Sequence, residues 1–193
     1  MIYNDVIFGS VDSNELKINK LELSARLGYQ ADISLLVHQI QRFNNAAKYR
    51  YAYTITDINI TEETIDFGFA TVSSRSLATV LSGCQKVYLI AVSTGIDTDR
   101  LISKLYLQSS SEAFITDCIG SAMVECLADY IDEKICQNLN TTKRFSPGYA
   151  DFPLEFQRPL LDRLNASSTV SISLSDQLFM TPMKSITAII GIK

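Results

Sequence analysis

The chain has 193 residues, with 17 Lys plus Arg against 21 Asp plus Glu, a formal charge of −4 and a pI near 5.0. That balance argues against a duplex nucleic-acid binder working by phosphate neutralisation. No apolar run reaches the ~18 residues of a membrane span, and no basic segment followed by an apolar one opens the chain as a signal peptide would.

The expected elements follow in chain order. Residues 12–28 are mixed, with weak helical periodicity at Leu21, Leu23 and Leu27 and a stop at Gly28. Residues 31–47 read as a helix capped by Asp32 or Ser34, with Leu35, Leu36, Ile40 and Phe43 at helical spacing. From Lys48 to Ile60 the residues alternate as in a half-buried strand. Thr64–Thr71 follows the turn Thr61-Glu62-Glu63 as its expected antiparallel partner. Ser74–Leu81 is a short helix ended by Gly83. Lys86–Val92 is nearly all apolar, the pattern of a central strand covered on both faces. Asp97 is the expected N-cap of a helix over 97–107.

A long helix is expected from about Ser111 to about Leu139, its apolar residues Ile115, Ile119, Ala122, Met123, Cys126 and Tyr130 lying within roughly 80° of one another. Residues 140–152 form a loop rich in Asn, Thr, Pro and Gly, and Pro153–Leu164 is again helical. Val170–Leu174, Phe179–Thr181 and Ser185–Ile192 read as strands. Helices and strands occur in clusters without strict alternation, which predicts α+β with a largely antiparallel sheet flanked by helices, in a single unit over 1–193.

Cys84, Cys118, Cys126 and Cys136 form no C-x-x-C pair, and the single histidine, His38, builds no Cys/His cluster with them, which argues against structural zinc. We expect reduced thiols acting as small buried hydrophobes in a cytoplasmic protein. The familiar Gly-rich phosphate loops, the metalloprotease H-E-x-x-H and the G-x-S-x-G nucleophile elbow are absent. His38 reads as an ordinary helical histidine.

Two segments stand out. In Arg144-Phe145-Ser146-Pro147-Gly148-Tyr149, Pro147 presets φ and Gly148 admits φ > 0, so a tight turn is expected that leaves backbone groups free to meet a ligand. Arg144 brings a donor fork suited to a carboxylate, and Tyr149 a ring face and a hydroxyl. The alternative is a surface loop with an Arg salt bridge. The second segment is the polar side of the long helix, with Asp117, Ser121, Glu125 and Asp132. It reads either as a solvated acidic face or as a row in which Glu125 meets an ammonium group.

Taken with KVYLIAVSTG at 86–95, IGSAMVECLADYIDEKI at 119–135, RFSPGYADFPLEFQRPLLDRL at 144–164 and the closing segment 170–192, these features resemble the activation (reactivation) domain of vitamin B12-dependent methionine synthase in its short free-standing form. The R-x-x-x-G-Y hallmark falls at Arg144, Gly148 and Tyr149. L-[ST]-[DE] falls at Leu174-Ser175-Asp176, and M-x-P-x-x-S at Met180–Ser185. The resemblance covers 86–192.

It implies a curved, mostly antiparallel α+β structure that binds S-adenosylmethionine and presents it to a cobalamin held by a partner, a methionine synthase or another corrinoid protein. Flavodoxin or another reductase would supply the electron that returns cob(II)alamin to cob(I)alamin. By the resemblance Arg144 binds the methionine carboxylate, Pro147 and Gly148 shape the backbone around the ligand, and Tyr149 lines the groove. Glu125 meets the amino group or supports Arg144. Three differences from the family stand beside this. No counterpart of its N-terminal arm precedes Leu21. Ile189, Ile190 and Gly191 stand where its last strand carries aromatic residues near the ligand. The longer C-terminal extension of the family is not represented. The rival implications are a non-enzymatic binding module or chaperone for a corrinoid protein, and an independent methyltransferase acting on a small molecule.

Overall fold

A computed structural model describes residues 5–29 and 32–193. Its central sheet has the order β1(Ile7–Ser10), β2(Arg50–Asp57), β6(Lys86–Ser93), β9(Ser185–Ile192), every neighbouring pair antiparallel. A small antiparallel sheet joins β3(Asn59–Thr61), β4(Thr64–Asp66) and β5(Thr71–Ser73), and a third pairs β7(Ser173–Leu174) with β8(Met180–Thr181). The α+β expectation therefore holds.

β6 explains the layering. Its residues alternate, and both sets are buried. Tyr88, Ile90 and Val92 face one core together with Ala188 and Ile190 of β9. Val87, Leu89 and Ala91 face the other with Ala52 and Ile189. The first core is closed by α1(Lys20–Leu27), α2(Ile33–Ala46), α4(Ile96–Tyr106) and α5(Ser110–Ile135). The second is closed by the small sheet, α3(Arg75–Val80), α6(Gln157–Arg163) and α7(Ala166–Thr169), around Phe67, Phe152 and Phe156. A period-two strand that is apolar at both phases must be covered on both sides, as here.

α5 is the spine of the first core. Its 26 residues are buried over more than half their number, including Gly120, Val124, Leu127 and Ala128, well outside the narrow stripe expected. The stripe was too narrow because α5 is clasped by α1, α2 and α4 as well as the sheet. At Gly120 a Cβ would lie 2.9 Å from the Phe43 ring, so the small residue lets α2 come close. Buried Gln39 of α2 donates to Glu112 at 2.9 Å and accepts from Thr116 at 3.1 Å, which settles its carboxamide. His38 lies on the exposed side of α2.

Several expectations need correction. β2 does not pair with 64–71. It lies between β1 and β6, and only its continuation β3 forms the hairpin with β4, turning at Glu62 with φ 56°. The period-two pattern of 48–60 ran through a break at Ile58 that periodicity does not register. α4 is capped by Gly95 (φ 86°) and not by Asp97, which sits inside the first turn and pairs with Lys48 and Arg100. α5 stops at Ile135, short of Leu139. Residues 153–164 split into a 3₁₀ turn, Leu154–Phe156, and α6. Val170 closes α7 and is not in a strand. Asp32 caps α2 by accepting from the Leu35 amide at 3.0 Å; the expected helix start at residue 31 lies outside the described residues. All four cysteines are unpaired and at least half-buried, and burial pushes their thiols up. No helix among the described residues is long and apolar enough to cross a membrane.

Candidate functional site

After α5 the chain turns back and runs beside β9. Thr141 bridges Ile192 and Phe145 bridges Ile189, both antiparallel, so this segment covers the free edge of the central sheet. Extended backbone sends neighbouring side chains to opposite faces. Phe145 packs into the second core, stacked on Phe152. Arg144 turns to the other side, towards α5.

There Arg144 meets three carboxylates on one face of the helix. Nη1 donates to Asp132 at 2.7 Å, and Nη2 lies 2.9 Å from Asp129 and 3.2 Å from Glu125. The i, i+4, i+7 spacing of the three acids places them on one helical face. Burial pushes the Asp132 carboxyl up to about 6 although Arg144 opposes the shift. Glu125 is raised for the same reason. Burial alone would lower the Arg144 guanidinium, but the carboxylates outweigh it and the net shift is upward. The cluster is therefore a cation held in an excess of acid.

These groups form one wall of a cavity of about 530 Å³, a size that suits a small organic ligand. The turn Ser146–Tyr149 forms a second wall, Gln157 at the start of α6 a third, and Met180 with Ser185–Thr187 the last. Two polar atoms at this cavity are buried without a partner among the described residues: Asp132 Oδ1 and Gln157 Oε1. Both are acceptors.

Of the residues singled out from sequence, Glu125, Arg144, Pro147 and Tyr149 line the cavity together. Gly148 does not line it. Its φ of +91° makes the turn, and a Cβ there would also press on Leu154 at 3.1 Å. The expected free backbone is a second correction. The Gly148 amide donates to the Phe152 carbonyl at 2.8 Å and the Tyr149 amide to the Ser146 carbonyl at 3.1 Å, so the turn uses these donors itself. Asp151 secures the same loop from outside, accepting from Ser74 Oγ and the Arg75 amide at 2.8 Å and from the Ser76 amide at 3.1 Å. These bonds hold its carboxyl down at about 2. Ile189 and Ile190 are core residues; the part of β9 at the cavity is Ser185–Thr187.

Sequence reasoning missed Asp129 and Gln157. Asp129 was legible as the i+4 neighbour of Glu125 on the same face. Gln157 had no signal, since its place depends on how α6 folds back over the loop.

No family model matches this sequence, and no curated protein does. Among solved structures the chain is similar to the crystal structure of the MetH reactivation domain bound to AdoHcy (S-adenosylhomocysteine). The TM-score is 0.75 at 12% identity, over 96% of this chain and 78% of that one. At this identity the likeness establishes the fold: a methionine synthase activation-domain-like architecture. It extends through the N-terminal half, which the motifs over 86–192 did not reach.

Proposed function

We propose that this chain, as one activation-domain-like unit, binds S-adenosylmethionine in the cavity beside Arg144. It would present the methyl group to cob(I)alamin carried by a partner, a methionine synthase or another corrinoid protein, with flavodoxin or another reductase supplying the electron. The observation that carries the reading is a convergence. Residues of the R-x-x-x-G-Y segment line the same cavity as the acidic face of α5, in a chain with the fold of a domain bound to AdoHcy.

The ligand suits these residues chemically. S-adenosylmethionine bears a sulfonium and an ammonium against one carboxylate, and the wall offers three carboxylates against Arg144 and Lys143. Arg144 is the cation for the ligand carboxylate, which would share its donors with the α5 acids, while Glu125 and Asp129 accept from the ammonium. The Tyr149 ring, well exposed at the rim, covers the outer part of the ligand. The partner's cobalamin supplies the nucleophile, so this chain needs no general base. Its work is to fix the sulfonium in orientation and to hold the methyl towards the docked partner.

Calorimetry with S-adenosylmethionine tests the reading. Arg144→Ala should weaken binding by more than about tenfold, since loss of one partner of a part-buried ion pair is costly, and should stop methylation of a partner's cob(I)alamin. Absence of binding by the folded chain, alone and with a corrinoid partner, would overturn it. One observation favours the rival binding module: the three carboxylates on Arg144 compete with a ligand carboxylate for its donors. That reading requires partner binding that Arg144→Ala leaves intact and no affinity for S-adenosylmethionine.

A further inference from the structure

Two other features of the described residues offer less than the cavity at Arg144. The hollow between β3 and α3 is lined by Glu62, Glu63 and Arg75 without an orphaned polar atom. Lys184 is held by Asp117 and Ser121, and the buried Asp99 Oδ1 near it has no donor among the described residues, but none of these residues lines the cavity at Arg144. At the Arg144 cavity, by contrast, two buried oxygens are left open, and this has a consequence for what the cavity accepts and releases.

Gln157 is 7% exposed, its Oε1 meets no donor, and it lines the cavity opposite the α5 acids. Asp132 is a quarter exposed, but its Oδ1 is buried and meets no donor, while its Oδ2 takes the bond from Arg144. A buried acceptor without a donor costs free energy, and a fold keeps one where something else supplies the donor. Both open atoms carry partial or full negative charge, and the titratable lining is three carboxylates against two cations. An occupant that brings hydrogen-bond donors and positive charge fits this lining.

We infer that Gln157 and Asp132 are ligand-reading residues and that the cavity distinguishes the cationic sulfonium from the neutral thioether. The inference rests on the reading that an S-adenosyl compound binds here. When the methyl group leaves to a nucleophile, the S–C bond breaks with both electrons staying on sulfur. The sulfonium becomes a thioether and the ligand loses one positive charge. A cavity with excess acid then holds the neutral thioether less tightly than the cationic sulfonium, while Gln157 Oε1 and Asp132 Oδ1 accept from donors that both forms of the ligand carry. Discharge of the ligand thus becomes the signal for its release, with no movement of the chain required.

Two sets of measurements test this. The first is calorimetry with S-adenosylmethionine, S-adenosylhomocysteine and sinefungin, which carries an ammonium-bearing carbon in place of the sulfonium. The two cationic ligands should bind at least about tenfold tighter than the thioether (about 1.4 kcal/mol). Asp129→Asn, at an exposed position of α5, should narrow that gap. The second is Gln157→Leu, which removes an orphaned acceptor at similar volume. The free protein should melt no lower than wild type, and S-adenosylmethionine should bind several-fold more weakly. A residue kept only for packing would give the opposite pair of results. Equal or tighter binding of the thioether, with all three ligands still dependent on Arg144, would overturn the inference and leave the site standing. If none of the three binds the folded chain, the site itself fails and the inference with it.

Discussion

Replacing Arg144 by Gln removes one positive charge from between three carboxylates and keeps most of the side-chain volume. The guanidinium is only 19% exposed, and Asp132 and Glu125 are 25% and 34% exposed, whereas Asp129 is 66% exposed. The Asp129 contact is worth about 0–1 kcal/mol, as surface pairs are. The other two lie where the effective dielectric is lower. There a pair of unit charges 4 Å apart interacts by about 4 kcal/mol at a dielectric of 20, before desolvation and residual screening are subtracted.

Breaking such a pair from one side leaves its acids facing one another, and the expected loss at pH 7.5 is about 2–4 kcal/mol. For a domain of this size that is roughly 5–12 °C in melting temperature. The sign of the pH dependence follows from Asp132. Its folded-state carboxyl is raised to about 6, above the ordinary carboxyl value. Between about pH 4 and 6 the folded state therefore binds more protons than the unfolded one, and the contribution of this group to stability falls as pH rises through that window. Without Arg144 the window extends upward, and the variant should regain roughly half its loss on going from pH 7.5 to 5.0, where Asp132 is protonated. Urea unfolding of both proteins at the two pH values measures this. A loss below about 1 kcal/mol, or one equal at both pH values, would refute the electrostatic account and leave Arg144 as a packing residue.

Three further outcomes follow from the same structure. Gly191→Ala would place a Cβ 2.6 Å from Cys84 Sγ and 2.9 Å from Leu81 and Thr142; denaturant unfolding should show a loss of about 1–3 kcal/mol, and Cys84→Ala in the same chain should return part of it. Asp151→Ala should lower the melting temperature at pH 7, because its three accepted hydrogen bonds tie the loop to the start of α3. That carboxyl is held down at about 2, so the difference between variant and wild type should persist at pH 5 and close only as pH falls from about 4 towards 2. Lys184→Met would leave Asp117 and Ser121 without the ammonium that lies 2.8 and 2.9 Å from them; urea unfolding should lose about 1–3 kcal/mol, and adding Asp117→Asn should restore part of it.

The elements legible in sequence were those whose own pattern decides them. β6 is apolar at both phases, and only a strand covered on both faces tolerates that. α2 carries its cap, Asp32, next to its first turn, and β9 was found at Ser185–Ile192. What could not be read depended on partners distant in the chain. The break between β2 and β3 is set by β6, which pairs with β2 as far as Asp57 and leaves Ile58 to bond Gln85. Gly95 supplants Asp97 as the cap of α4 because the turn passes so close to Lys48 that a Cβ at residue 95 would meet its side chain at 3.2 Å. The turn at Pro147 and Gly148 was predictable from residue types, yet its use of its own amides was not, since the acceptor of the Gly148 amide is Phe152, fixed by the aromatic core beneath it.

The polar side of α5 brings both levels together. Read alone, Asp117, Ser121, Glu125 and Asp132 are compatible with a solvated face, because a helix reports only its own periodicity. In the folded chain Asp117 and Ser121 hold Lys184, and Glu125, Asp129 and Asp132 hold Arg144. Asp117 to Asp132 spans about 22 Å of helix at 1.5 Å per residue, with a cation returned to each end from the last third of the chain. Lys184 immediately precedes the part of β9 that walls the cavity, and its backbone carbonyl accepts from the Thr94 amide at 3.0 Å, so the wall is fixed to α5 and to the end of β6 at once. The ammonium at one end bonds one acid and one hydroxyl, and the guanidinium at the other faces three acids; each end leaves one carboxylate oxygen without a donor among the described residues, Asp99 Oδ1 and Asp132 Oδ1. The difference between the two ends lies in what surrounds them: the acids at Arg144 line a cavity of about 530 Å³, whereas Lys184 is only 11% exposed between Asp117 and Ser121.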